Sequence, residues 1–132
     1  MLRRISWYVV LVVIVMSLAA CGSTKPKTIT VTEKDNKSTV DLNKGDALKA
    51  TLVGNPTTGY QWQRVDGDSE VIRQVGEPKF KSDSSAIGSP GKVTLKFKAV
   101  KPGKVTLQLI YNRSFEPKEP PAKKFKITVV VK

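Results

Sequence analysis

The sequence predicts an all-β domain, an immunoglobulin-like antiparallel β-sandwich of about seven to eight strands, and three observations predict it. Apolar residues alternate with Thr, Lys and Gln at period two along most of the chain, the pattern of strands with one buried and one wet face. Short runs rich in Gly, Pro, Asn and Asp interrupt that alternation at strand-length intervals, as turns do. No window offers an amphipathic helix of useful length, and 132 residues hold one core of ordinary size.

The elements follow in order. Ile29 and Val31 set the first strand, Val40 and Leu42 the second, and Leu48, Ala50 and Leu52 the third, with turns at 34–37 and 43–46. After a connection at 54–59, a strand over 60–64 places Trp62 in the core, and a turn at 66–68 leads to a strand over 71–75. Val93, Leu95, Phe97 and Ala99 form one long buried row, and Val105, Leu107, Leu109 and Tyr111 the next. The segment 101–104 between these rows reads as a tight hairpin. Phe125, Ile127, Val129 and Val131 close the set. With one cysteine in the chain no internal disulfide can brace the sandwich, so aliphatic packing is expected to hold it.

Composition excludes most chemistry. Histidine is absent and cysteine occurs once, so no Ser-His-Asp or Cys-His nucleophile and no paired-histidine or four-thiolate zinc site can be built. The carboxylate pairs Asp66/Asp68 and Glu116/Glu119 sit in turn-rich, lysine-rich segments with no pocket-forming context. An enzyme is not expected, nor a cofactor or metal.

The first residues read as an address. Arg3 and Arg4 precede an apolar run from Trp7 to Met16 and then Ser17-Leu18-Ala19-Ala20-Cys21, the charged, apolar and small-residue regions of a secretory signal. The run is short for a spanning helix. Leu18-Ala19-Ala20-Cys21 resembles the lipobox of bacterial lipoproteins, in which the cysteine thiol is alkylated with diacylglycerol and becomes the first mature residue. Residues 1–20 then form the signal peptide, 21–27 the lipidated Cys21 and a polar tether, and 28–132 the folded domain. The resemblance implies a cell-envelope protein, anchored on the outer side of the cytoplasmic membrane or in the outer membrane.

Charge is lopsided: 23 Lys and Arg face 11 Asp and Glu, a formal +12. Loss of Arg3 and Arg4 with the signal leaves 21 basic side chains. Many lysines of the second half, among them Lys92, Lys96, Lys98, Lys124 and Lys126, fall on outer strand positions. They read either as a solvated, edge-protecting face or as a surface for an anionic partner such as acidic headgroups, wall polyanions or the acidic surface of a peptidase. Nucleic acid is not an expected partner of an exported lipoprotein.

Three connections exceed what strand closure requires: 54–59, 82–91 and 112–124. The first reads Asn55-Pro56-Thr57-Thr58-Gly59-Tyr60, an Asn-Pro turn, two hydroxyl side chains and a glycine free to take positive φ. By itself this is also a well-made strand connection. In its context, after Gly45-Asp46 and before Gln61-Trp62, the hexapeptide resembles the first signature of the chagasin-like inhibitors of papain-family cysteine peptidases. Ile87-Gly88-Ser89-Pro90-Gly91 resembles their glycine-bearing second loop and Tyr111-Asn112-Arg113-Ser114-Phe115-Glu116 their third, which usually reads Arg-Pro-Trp where this chain has Arg113-Ser114-Phe115.

The resemblance implies a reversible, competitive inhibitor whose three loops form a wedge at one end of the sandwich. It implies that Asn55 shapes the first loop, Pro56 and Gly59 fix its backbone, Thr57 and Thr58 contact the catalytic centre, and Tyr60 belongs partly to the core. Gly88 and Gly91 permit close backbone approach, Phe115 stacks on an aromatic rim residue, and Arg113 donates to the peptidase. The expected partner is a papain-family cysteine peptidase, met by a monomer. The alternative is a basic envelope lipoprotein that binds polyanions and uses the sandwich only as a scaffold.

Overall fold

A computed structural model describes residues 25–65 and 70–132; the signal segment, Cys21 and the pair Asp66/Asp68 lie outside the described residues. These contain nine strands: β1 (Thr28–Thr32), β2 (Thr39–Leu42), β3 (Ala47–Gly54), β4 (Gln61–Arg64), β5 (Ile72–Gln74), β6 (Lys79–Ser82), β7 (Gly91–Ala99), β8 (Gly103–Asn112) and β9 (Lys123–Val131). They form two sheets packed face to face. The five-stranded sheet runs β1-β3-β7-β5, with β6 also paired to β7, and the four-stranded sheet runs β2-β9-β8-β4.

Alternation explains which side chains meet between the sheets. Along β7 the pattern is buried at Val93, Leu95, Phe97 and Ala99, and exposed at Lys92, Lys96 and Lys98. Leu107 and Leu109 of β8 and Phe125, Ile127 and Val129 of β9 face them from the other sheet. Phe97 and Phe125 are the largest fully buried side chains, so aromatic rings share the work expected of aliphatic packing. Trp62 on β4 donates its Nε1–H to the Val53 carbonyl at 3.0 Å, joining the two sheets and satisfying the one polar group of the indole. Among the described residues the buried core runs from Val31 to Val131 and draws on both sheets.

Three expectations are corrected. The sheets are mixed rather than purely antiparallel, because β1 pairs parallel to β3 and β2 parallel to β9. Chain segments 33–38 and 43–46 each cross from one sheet to the other, so parallel neighbours arise without a helical crossover. Segment 101–104 is not a hairpin: β7 and β8 belong to different sheets, and the chain arches between them with the Val100 N–H bonded to the Val71 carbonyl at 2.9 Å. The extra strand is β6, Lys-Phe-Lys-Ser, exposed at all four positions. A strand without a buried face shows no apolar alternation, and pairing with β7 through Lys79↔Thr94 to Ser82↔Gly91 is what defines it.

The crossing at 43–46 is pinned by Asp46, a carboxylate only 3% exposed. Its oxygens accept the backbone N–H of Lys27 and of Asn43, each at 2.9 Å. These two bonds hold the Asp46 carboxyl below its ordinary range, against the opposing effect of burial.

Candidate functional site

Strand register brings the three long connections to one end. Gly54, the last residue of β3, pairs with Gly91, the first of β7, and Gly91 pairs with Ser82, the last of β6. In the other sheet Gln61 pairs with Asn112 and Tyr111 with Lys123. The first loop (55–60) joins β3 to β4 and so binds these two strand ends into a single pole, from which the second loop (83–90) and third loop (113–122) also emerge.

The first loop is built as a short 3₁₀ turn over Pro56–Thr58. Proline suits the first position of such a turn because its fixed φ is preorganised and its missing N–H is not needed. Asn55 caps it: its Oδ1 accepts the Thr57 N–H at 3.2 Å and also the Thr57 hydroxyl. The Asn55 carbonyl accepts the Thr58 N–H at 3.2 Å and the Thr58 hydroxyl at 2.7 Å. Gly59 closes the turn in the left-handed region at φ 84°, where a side chain would be strained. A Cβ there would also stand 3.1 Å from two carbons of the Phe115 ring.

Beneath the loop lies Tyr111, 8% exposed, whose hydroxyl accepts the Asn55 N–H at 2.8 Å. Its ring stacks on Tyr60 with centroids 5.2 Å apart and lies 5.1 Å from that of Trp62. Tyr60 is half-buried and packs against the core. The loop therefore rises from an aromatic base continuous with the hydrophobic interior.

Each outer loop is tied to the first by a hydrogen bond. The Asn55 Nδ2 donates to the Gly88 carbonyl at 2.9 Å, and the Arg113 Nε–H donates to the Thr58 carbonyl at 3.0 Å. The Arg113 guanidinium lies 4.5 Å from the centre of the Tyr60 ring and 3.3 Å from a Glu116 carboxylate oxygen. Two of its N–H groups are thus used within the chain, making it a strut between third and first loops. Gln63 of β4 donates to the Ser114 hydroxyl, a second hold on the third loop.

Thr57, Thr58 and Phe115 are exposed at the pole, the last at 70%. Gly88 sits at φ 80° with open space around it. Gly91 is placed differently: it is buried at the start of β7, and a Cβ there would come 2.0 Å from the Lys81 carbonyl oxygen, so its close approach is to β6. Ile87 completes the surface. It is fully exposed at the tip of the second loop, an apolar side chain among Ser, Asp, Gly and Pro. An open depression of about 560 Å³ beside Tyr60 is lined by Arg113, Phe115, Pro117 and Pro120. Among the described residues no cluster of His, Cys, Asp and Glu could hold a metal ion.

A family model described as "Chagasin family peptidase inhibitor I42" matches residues 41–129, more than half of the chain. The chain belongs to the chagasin family of peptidase inhibitors. Members of the chagasin family are inhibitors rather than enzymes. Amoebiasin-1 of Entamoeba histolytica is 30% identical over 91 residues, covering 67% of this chain and 86% of that protein. The crystal structure of EhICP2, a cysteine protease inhibitor from the same organism, superposes with a TM-score of 0.71 at 24% identity, covering 83% of this chain and all of that one. PbICP-C, solved in complex with falcipain-2, matches with a TM-score of 0.54 at 25% identity, over 84% of this chain and 95% of that chain.

Proposed function

We propose that this chagasin-family domain is a reversible, competitive inhibitor of papain-family cysteine peptidases that inserts its three-loop pole into the active-site cleft. The observation that carries the reading is the bracing of the hexapeptide loop from both sides, Asn55 to Gly88 and Arg113 to Thr58. A wedge of three mutually bonded loops loses little conformational freedom on docking, and preorganisation of this kind is what converts contact area into affinity. An interface of the common size, about 1,600 Å², suits its extent.

Thr57 and Thr58 at the tip face the catalytic cysteine, and the loop resists cleavage because of how its carbonyls are used. Attack needs an acyl carbon aligned with the thiolate and its oxygen directed at the oxyanion donors. The carbonyls of Asn55, Pro56 and Thr58 already accept hydrogen bonds from Thr58, Gly59 and Arg113, so presenting one of them would dismantle the turn. Phe115 supplies an aromatic face to the cleft rim, Ile87 an apolar contact from the other flank, and Arg113 holds the loops in relative position. Binding of this kind occludes the nucleophile without consuming the inhibitor.

The address is part of the proposal. Leu18-Ala19-Ala20-Cys21 behind an apolar run supports a bacterial lipoprotein, carrying diacylglycerol on the Cys21 thiol and held at the cell envelope. Each buried methylene contributes about 0.8 kcal/mol, so two or more chains anchor stably where one does not.

The test is titration of papain with residues 25–132. Competitive inhibition that weakens in Thr57→Arg and Phe115→Ala while both variants stay folded supports the wedge. Inhibition indifferent to both substitutions would reject it.

A further inference from the structure

Seven basic side chains share the outer face of one sheet. In the five-stranded sheet, register sets Lys49 directly opposite Lys96, Lys98 opposite Arg73, and Lys92 opposite Lys81. All six are on the outer face, and Lys79 extends the row on β6. The strands β1, β3, β5, β6 and β7 contain no Asp or Glu. Like charges directly opposite on neighbouring strands are destabilising, and this face holds three such pairs. Glu33, just past β1, lies at the edge of this face beside Thr51 and Lys92, its carboxylate engaged by the Val53 N–H at 3.2 Å and standing 3.9 Å from Lys123. The outer face of the other sheet carries only Lys104, Lys124 and Lys126 on its long strands, with Asp41 among them on β2.

We propose that the outer face of the five-stranded sheet is a docking surface for an anionic lipid bilayer. The face extends about 30 Å along β7 at about 3.3 Å per residue, and its cations recur along neighbouring strands, suiting a broad plane of headgroup phosphates. The place where the chain enters favours a bilayer over a dissolved polymer. β1 is an edge strand of this same sheet, and the residues 22–27 preceding it span at most about 20 Å when extended. On the lipid-anchor reading, Cys21 therefore keeps the entry edge of this sheet within about 20 Å of the membrane.

The arrangement leaves the inhibitory pole free. β1 runs parallel to β3 with Thr28 beside Ala47, so the tether enters at the end opposite Gly54 and the three loops. A domain lying on its basic face projects the loops sideways, clear of the headgroups. Acyl chain and polybasic face then act as two membrane signals.

The experiment uses unlipidated residues 25–132, so its outcome does not depend on acylation, and measures sedimentation with vesicles of phosphatidylcholine alone or mixed equally with phosphatidylglycerol. Two triple variants of equal net charge are compared: Lys92→Glu/Lys96→Glu/Lys98→Glu on the basic face, and Lys104→Glu/Lys124→Glu/Lys126→Glu on the opposite sheet. The parent is expected to bind the anionic vesicles in a salt-sensitive way and not the neutral ones. A cation near such a surface is worth about fivefold in partition, so the first triple should lose at least on the order of a hundredfold and the second less than about tenfold. Papain titration of both triples should match the parent, which separates failure of docking from failure of inhibition and verifies folding. Equal losses in both triples, no binding to anionic vesicles, or binding to heparin without binding to vesicles would overturn the proposal.

Discussion

The side-chain amide of Asn55 donates to the carbonyl of Gly88 at 2.9 Å, joining two loops separated by more than thirty residues of sequence. The same side chain caps its own turn through Oδ1, so one residue both shapes the first loop and sets its distance from the second. That dual use explains why asparagine, with donor and acceptor on one planar group, occupies the position.

Asn55→Asp separates the two tasks, keeping the acceptor for Thr57 and removing the donor to Gly88. The expected result is a rise in the papain inhibition constant of roughly tenfold, about 1.4 kcal/mol, with a melting temperature within a few degrees of the parent. An unchanged constant would show that the loops need no tie.

Gly59→Ala places a Cβ at φ 84°, 3.1 Å from the Phe115 ring. The left-handed conformation alone costs about 1–2 kcal/mol for a residue with a side chain, and Phe115 must move as well. Inhibition should therefore weaken by more than the loss in stability measured by urea unfolding; equal changes would mean that Phe115 does not contribute to binding.

Tyr111→Phe removes the hydroxyl that accepts the Asn55 N–H at 2.8 Å and leaves that donor without its partner at the base of the loop. The expected cost is about 1–3 kcal/mol, read as a melting temperature lower by several degrees. Amide hydrogen exchange at Asn55 should accelerate in the variant.

Asp46 makes the fold acid-sensitive. Backbone donors Lys27 and Asn43 hold its folded pKa below the usual value, so between the folded and unfolded pKa values the unfolded chain binds more protons. Its contribution is present above about pH 4 and is lost as pH falls through the folded value. Asp46→Asn should melt lower at neutral pH and show a shallower decline on acidification, measured by thermal unfolding from neutral to strongly acidic pH.

Much of this organisation was legible in the sequence. Alternation located Leu48, Phe97, Leu107 and Ile127 in the core because period two reports which face a residue takes. It reports nothing about which strand lies alongside, and so β1 beside β3 and β2 beside β9, both parallel, could not be read, nor the change of sheet at 101–104. β6 escaped because none of its four residues is buried. At the site, the composition of 55–60 announced a stiff turn. The inward use of Arg113 was hidden, since its acceptor, the Thr58 carbonyl, is set by the fold and has no sequence signal. Ile87 did have one: a large apolar residue in a polar loop, eligible for an exposed contact.

The most direct test of the central claim is alkylation of the papain catalytic cysteine by iodoacetamide in the presence of residues 25–132. If the hexapeptide loop covers the thiolate, the domain at saturation should protect the cysteine from labelling, and Thr57→Arg should restore it in proportion to its loss of inhibition. Full labelling under conditions where peptide hydrolysis is blocked would contradict the account, placing the domain away from the nucleophile.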